Sequence, residues 1–180
     1  WILGDNVWWN PQRALEALPS DRAWWTTVSA DGKTLFGPAT TNCPNYCLQE
    51  VYRWNQASDN TWLLDSNGYV VASSDGTAVA AAPYKESPDG MHSFDDVQIW
   101  YEPGQHQAVQ SELIRCPITP CFPKALSSHG SVLLTQGSTP LIWTHQHGFR
   151  ELAAVLEQYG VRMEPYFLDV RSMSDDARVF

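Results

Sequence analysis

The stretch Tyr69-Val-Val-Ala-Ser-Ser-Asp-Gly-Thr-Ala-Val-Ala-Ala-Ala-Pro-Tyr84 decides the fold class. Two β-rich runs, 69–73 and 77–84, flank Asp75-Gly76, where glycine accepts the positive φ that a tight hairpin turn needs. Asp31-Gly32 and Asn67-Gly68 repeat that turn chemistry upstream. Residues 23–29, 46–54, 62–64, 97–101, 107–115 and 131–136 read as further short strands. Strands of this length and spacing, joined by hairpins, predict an up-and-down barrel or a sandwich. No internal repeat and no low-complexity linker is evident.

The two ends read differently from the middle. Asn10-Pro11 is a helix start, a capping residue followed by proline in the first turn, and Pro19 closes that helix about two turns later. Near the other end, Phe149, Leu152, Ala153 and Leu156 form one face of an amphipathic helix. Gly160 stands where a C-terminal cap belongs, with Tyr159 just inside it, and 166–170 reads as a closing strand. The expected architecture is mainly β: a single calycin or lipocalin-like antiparallel barrel with a short N-terminal helix and a C-terminal helix packed on its wall. Residues 1–22 are the lead-in and 23–180 the barrel-like domain.

Gly130-Ser-Val-Leu-Leu-Thr135, then Glu151-Leu152, Gly160, and Phe167 with Asp169 resemble the end of the violaxanthin de-epoxidase lipocalin domain. Cys47-Leu-Gln-Glu-Val51 is similar to the segment after that family's first strand. The similar pieces cover about a quarter of the chain and speak to architecture before activity. This sequence has Gly37-Pro-Ala-Thr-Thr-Asn42 where the family carries acidic residues, and it lacks the family's cysteine-rich leader. The resemblance implies a thylakoid-lumen calycin, without or with de-epoxidase-like chemistry.

Composition excludes several classes. The chain has 180 residues, 43% of them hydrophobic and 17% charged, which suits one globular domain with its own core. A net charge of -9 argues against nucleic acid and against anionic membrane surfaces, both of which need a basic patch. No apolar run approaches the roughly 18 residues of a spanning helix. The sequence opens at Trp1 with no signal-like stretch, so any targeting segment is expected to have been removed or to lie outside it. It holds no Asn-x-Ser/Thr sequon, which favours a bacterial or organellar lumen over the glycosylating secretory route.

The cysteines come as two tight pairs, Cys43 with Cys47 and Cys116 with Cys121. Each loop contains proline and lacks the glycine and basic flanks of a zinc ribbon, so disulfides in an oxidising compartment are favoured over a metal. Three pairings are open. A bridge between the pairs would close about 70 residues and stabilise by about 4 kcal/mol, against about 2 kcal/mol for a local bridge.

Other candidate chemistry is thinner. His145-Gln-His147 would need a third ligand such as His129, Glu151 or Asp169 to hold a catalytic metal; the alternative is a solvent-facing pair ahead of the helix. Asp95, Asp96 and Glu112 lie near Tyr101, but adjacent strand residues point to opposite faces, so Asp95 and Asp96 cannot line one cavity. No catalytic residue, metal or cofactor is assigned. Nine tryptophans are more than core filling needs, and outward rings stack on ligands or partners. Trp8, Trp9, Trp24, Trp25, Trp54 and Trp100, with Pro117, Pro120 and Phe122, are the candidate contacts. The long segments 83–94 and 116–130 read as loops, and the proline-stiffened second is the expected partner surface.

The functional expectation is a non-catalytic lumenal, periplasmic or extracellular protein. It would serve as an accessory subunit of a membrane complex, photosynthetic in the family reading, or hold a pigment or lipid. An enzyme acting on a hydrophobic small molecule inside the barrel is the alternative. A carbohydrate-binding module with coplanar exposed tryptophans ranks third.

Overall fold

The computed structural model describes residues 2–4, 7–10, 14–17, 27–29, 31–41, 48–55, 60–64, 69–83, 85–86, 92–101, 110–162, 170, 172–174 and 176–178. The fold is mainly β. Three four-stranded antiparallel sheets follow one another along the chain. They are preceded by a three-stranded sheet of β1 (Ile2–Gly4), β2 (Val7–Asn10) and β3 (Ala14–Ala17). The first four-stranded sheet holds β4 (Thr27–Val28), β5 (Thr34–Thr41), β6 (Leu48–Asn55) and β7 (Asn60–Leu64) in chain order. The second runs β8 (Val70–Ala72), β9 (Ala78–Ala81), β12 (Asp96–Tyr101) and β13 (Gln110–Arg115), with the small ribbon of β10 (Lys85–Glu86) and β11 (His92–Ser93) inserted between its inner strands. The third holds β14 (Phe122–Leu126), β15 (Val132–Gln136), β16 (Leu141–Thr144) and β17 (Gly148–Glu151), and leads into α1 (Leu152–Gln158).

No barrel closes among the described residues; the expected barrel is replaced by separate meanders that stack. β8 packs against β4 and β5, and β14 packs against β8 and β9, so the leading strands of successive sheets meet. Alternation along a strand then sends the second sheet's two faces to two different neighbours. In the second sheet Val79, Ala81 and Trp100 join Phe36 and Val70 of one cluster. Ala78, Ala80, Val97 and Ile99 join Leu133 and Trp143 of another. Being covered on both sides explains why Ala78-Val-Ala-Ala-Ala82 is an unbroken run of small, fully buried residues rather than an apolar–polar alternation. The far face of the third sheet, Ala125, Leu134 and Ile142, is covered by Leu152 and Val155 of α1 and by Val170.

A turn recurs between the first two strands of each four-stranded sheet and once more near the C-terminal end, which corrects the expectation of no internal repeat. Its copies are Ser29-Ala-Asp-Gly32, Ser73-Ser-Asp-Gly76, Ser127-Ser-His-Gly130 and Ser174-Asp-Asp-Ala177. The fourth position has φ 68°, 70°, 68° and 56° in turn. In each copy that residue donates its N–H to the serine carbonyl, at 2.8 to 3.0 Å. The serine hydroxyl accepts from the next strand: Thr34 N–H at 3.0 Å, Ala78 N–H at 2.8 Å and Val132 N–H at 2.8 Å. Where the third residue is Asp, the hydroxyl donates to it, at 2.7 Å from Ser29, 2.6 Å from Ser73 and 2.8 Å from Ser174. Three residues past the turn glycine, Leu35, Val79 and Leu133 stand opposite Trp54, Trp100 and Trp143 in the ladders.

Two further expectations change. The N-terminal helix over 10–19 is absent, because β3 occupies Ala14–Ala17 and pairs with β2. A helix of two turns is marginal, and strand pairing outweighs the weak preference of Ala-Leu-Glu-Ala. The supposed loop 116–130 contains β14, and α1 begins at Leu152 because Phe149 is drawn into β17 opposite Trp143. Gly160 does cap the helix, with φ 80° and its N–H on Glu157 O at 2.9 Å. Of the proposed closing strand only Val170 is described.

Candidate functional site

The polar cluster richest in chemistry sits where the apolar layer between the second and third sheets opens to solvent. Tyr101 ends β12, Glu112 stands on β13 opposite Ile99, and His145 follows β16 in the turn to β17. Tyr101 therefore shares a face with Ile99 and Glu112, and His145 shares one with Trp143; both faces look into the same interface. The Tyr101 hydroxyl lies 3.2 Å from Glu112 Oε2 and 3.2 Å from His145 Nε2, and His145 Nε2 lies 3.0 Å from the same carboxylate oxygen. Burial, then the charge of Glu112 and its hydrogen bond, push the Tyr101 pKa above the ordinary phenol range. The Trp143 ring lies 4.5 Å from the imidazole and fixes its position from the core side. Gly130 makes room for the phenol: a Cβ there would stand 2.9 Å from Tyr101 Cε1.

A second cluster joins the turns of those two sheets. His129 Nδ1 lies 3.1 Å from Asp75 Oδ2, and the His129 N–H donates to the same oxygen at 3.2 Å. Burial acts against the Asp75 carboxylate, but donors from Ser73 and Thr77 and the charge of His129 outweigh it and hold its pKa below the ordinary value.

At the opposite end of the strands an aromatic trio gathers. Tyr69 and Phe122 are 4.6 Å apart between centroids, Phe94 and Phe122 5.0 Å, and Tyr69 and Phe94 6.0 Å. Tyr69 remains 54% exposed. The neighbouring 116–121 segment is closed by a Cys116–Cys121 disulfide, Cα–Cα 6.3 Å, and pinned by the Cys121 N–H on Phe94 O at 2.9 Å.

The residues singled out from sequence separate accordingly. Trp54 and Trp100 are core, 6% and 3% exposed. Pro117 and Pro120 are exposed on the disulfide-closed turn, and Phe122 is half-buried in the trio. The side chains of Trp8, Trp9, Trp24 and Trp25, and both Cys43 and Cys47, lie outside the described residues. His145 and His147 do not converge: the first meets Glu112 and Tyr101, whereas His147 pairs with Thr144 at 3.4 Å. Among the described residues no group of three His, Cys, Asp or Glu side chains is placed to hold a metal. Glu112 and Tyr101 do come together, but Asp95 accepts from Ser93 and Asp96 is buried near Arg115. His145 as their third partner could not be read from sequence, because its approach depends on the stacking of two sheets.

Among the described residues no helix is long and apolar enough to cross a membrane. No protein-family model matches this chain, and no curated protein matches it.

Proposed function

We propose that this chain is a non-catalytic binding scaffold of serially stacked sheets that docks a protein partner in an oxidising compartment, periplasmic, lumenal or extracellular. The observation that carries the reading is the end bearing Tyr69, Phe94 and Phe122. The second sheet spends both faces on its neighbours, and the far face of the third is covered by α1 and Val170. On these sheets contact with other molecules therefore falls to the ends of the strands and the loops there. At this end an exposed aromatic ring stands beside a turn closed by a disulfide and carrying Pro117 and Pro120. A braced turn loses little conformational freedom on docking, and aromatic rings in a rigid frame are typical anchors. The net charge of -9 favours a protein surface over an anionic bilayer. The disulfide supports the compartment.

A photo-crosslinker placed at Ile118 in cells that express the protein tests this. One discrete protein adduct, lost on Tyr69→Ala, is expected; adducts that ignore Tyr69→Ala would overturn the reading. Among the described residues, a catalytic role would draw on the Tyr101–Glu112–His145 cluster. That cluster sits at an exposed rim, unlike the water-excluding pocket that an enzyme for a hydrophobic molecule needs.

A further inference from the structure

We propose that Tyr101, Glu112 and His145 form a binding site for a divalent first-row transition-metal cation of the zinc class. The argument begins with the triangle of donor atoms. Its edges are 3.0, 3.2 and 3.2 Å. A cation with three ligands at about 2.0–2.1 Å separates them by about 2.9 Å in octahedral and about 3.3 Å in tetrahedral geometry. The triangle falls between these values without any movement of the chain.

A single cation on the outer side of the triangle is within reach of all three atoms. Imidazole and carboxylate are donors that zinc-class ions accept, and the phenol joins them as phenolate by releasing its proton to solvent when the cation binds, whereas magnesium and calcium call for oxygen ligands alone.

The ligands are also held from behind, as metal ligands need to be. Trp143 backs the imidazole, Gly130 clears space for the phenol ring, and the β12–β13 ladder fixes Glu112 opposite Ile99. Glu112 and His145 remain 42% and 55% exposed, so water or a ligand from outside can complete the coordination. The site is independent of the docking end, which lies among Tyr69, Phe94 and Phe122.

The test is calorimetric titration of the tag-free, disulfide-intact chain with Zn2+, followed by the visible spectrum of the Cu2+ form. One strong Zn2+ site per chain is expected, weakened about tenfold or more by His145→Ala and by Glu112→Gln, and unaffected by His129→Ala or His147→Ala. The Cu2+ form should show a tyrosine-to-copper charge-transfer band that disappears in Tyr101→Phe, a variant that keeps the ring and its packing. Unchanged Zn2+ affinity in both His145→Ala and Glu112→Gln would overturn the proposal. So would equal loss in His129→Ala, no binding up to millimolar Zn2+, or a copper band that survives Tyr101→Phe.

Discussion

Gly130 leaves no room for a side chain beside Tyr101: a Cβ added there would lie 2.9 Å from Tyr101 Cε1 and 2.9 Å from Ala78 Cβ. Its φ of 68° lies in the left-handed region as well. One glycine thus serves the turn, the approach of the third sheet to the second, and the placement of the Tyr101 phenol.

Gly130→Ala should therefore cost about 2–5 kcal/mol, the sum of left-handed strain and overpacking. Gly160 has a similar φ of 80° but nothing within 4 Å, so Gly160→Ala should cost only about 1–2 kcal/mol. Urea melts of the two variants check the difference. Equal costs would mean that the contact with Tyr101 is not tight.

Ala177 presents the opposite case. It occupies the fourth turn at φ 56°, where the first three copies have glycine. Ala177→Gly should stabilise the region by about 1 kcal/mol by removing that strain. Hydrogen exchange at the Arg178 amide, which donates to Ser174 Oγ at 3.1 Å, should slow in the variant.

Asp31 and Asp75 give the protein an acid limb. Burial opposes both carboxylates; donors from Lys33 and Ser29 outweigh it at Asp31, and donors from Ser73 and Thr77 with the charge of His129 do so at Asp75. Both folded-state values lie below the ordinary one. The stability they add is complete above the unfolded value of about 3.9 and is lost as pH falls through the folded values. Thermal melts should show their contribution constant from pH 7 to about 5 and falling below about pH 4. In the doubly substituted Asp31→Asn, Asp75→Asn protein that fall should be shallower.

Reducing the Cys116–Cys121 disulfide should lower stability by about 2 kcal/mol, the value for a short loop. The urea midpoint with and without reductant measures it in a Cys43→Ser, Cys47→Ser background. An unchanged midpoint on reduction in that background would contradict this pairing.

Much of the β content was legible because Asp31-Gly32 and Asp75-Gly76 carry their turn chemistry openly, and the runs around them are strand-like. Strands β14, β16 and β17 escaped because prolines at 117, 120, 123 and 140 and the His145-Gln-His147 turn read as punctuation. β5 escaped through Gly37-Pro38. Proline is tolerated where a strand's neighbour ends, and β4 pairs with β5 only at Phe36 and Leu35. The repeat stayed hidden because His129 and Ala177 each break the Asp-Gly signature, and because the β10–β11 ribbon lengthens one interval. Of the cluster at the rim, Glu112 and Tyr101 were visible as residues close together on successive expected strands. His145 reaches them only through sheet stacking, which leaves no local mark in the sequence.

The account rests most heavily on the serine-headed turn as the unit that is repeated, and amide hydrogen exchange tests it directly. The Thr34, Ala78 and Val132 amides, each donating to a turn serine hydroxyl, should be among the slowest to exchange. Ser73→Ala, which leaves the Ala78 N–H without its acceptor at a fully buried position, should cost about 1–3 kcal/mol and release that amide first. Rapid exchange at all three amides in the native chain, or a Ser73→Ala protein as stable and as protected as the original, would contradict it.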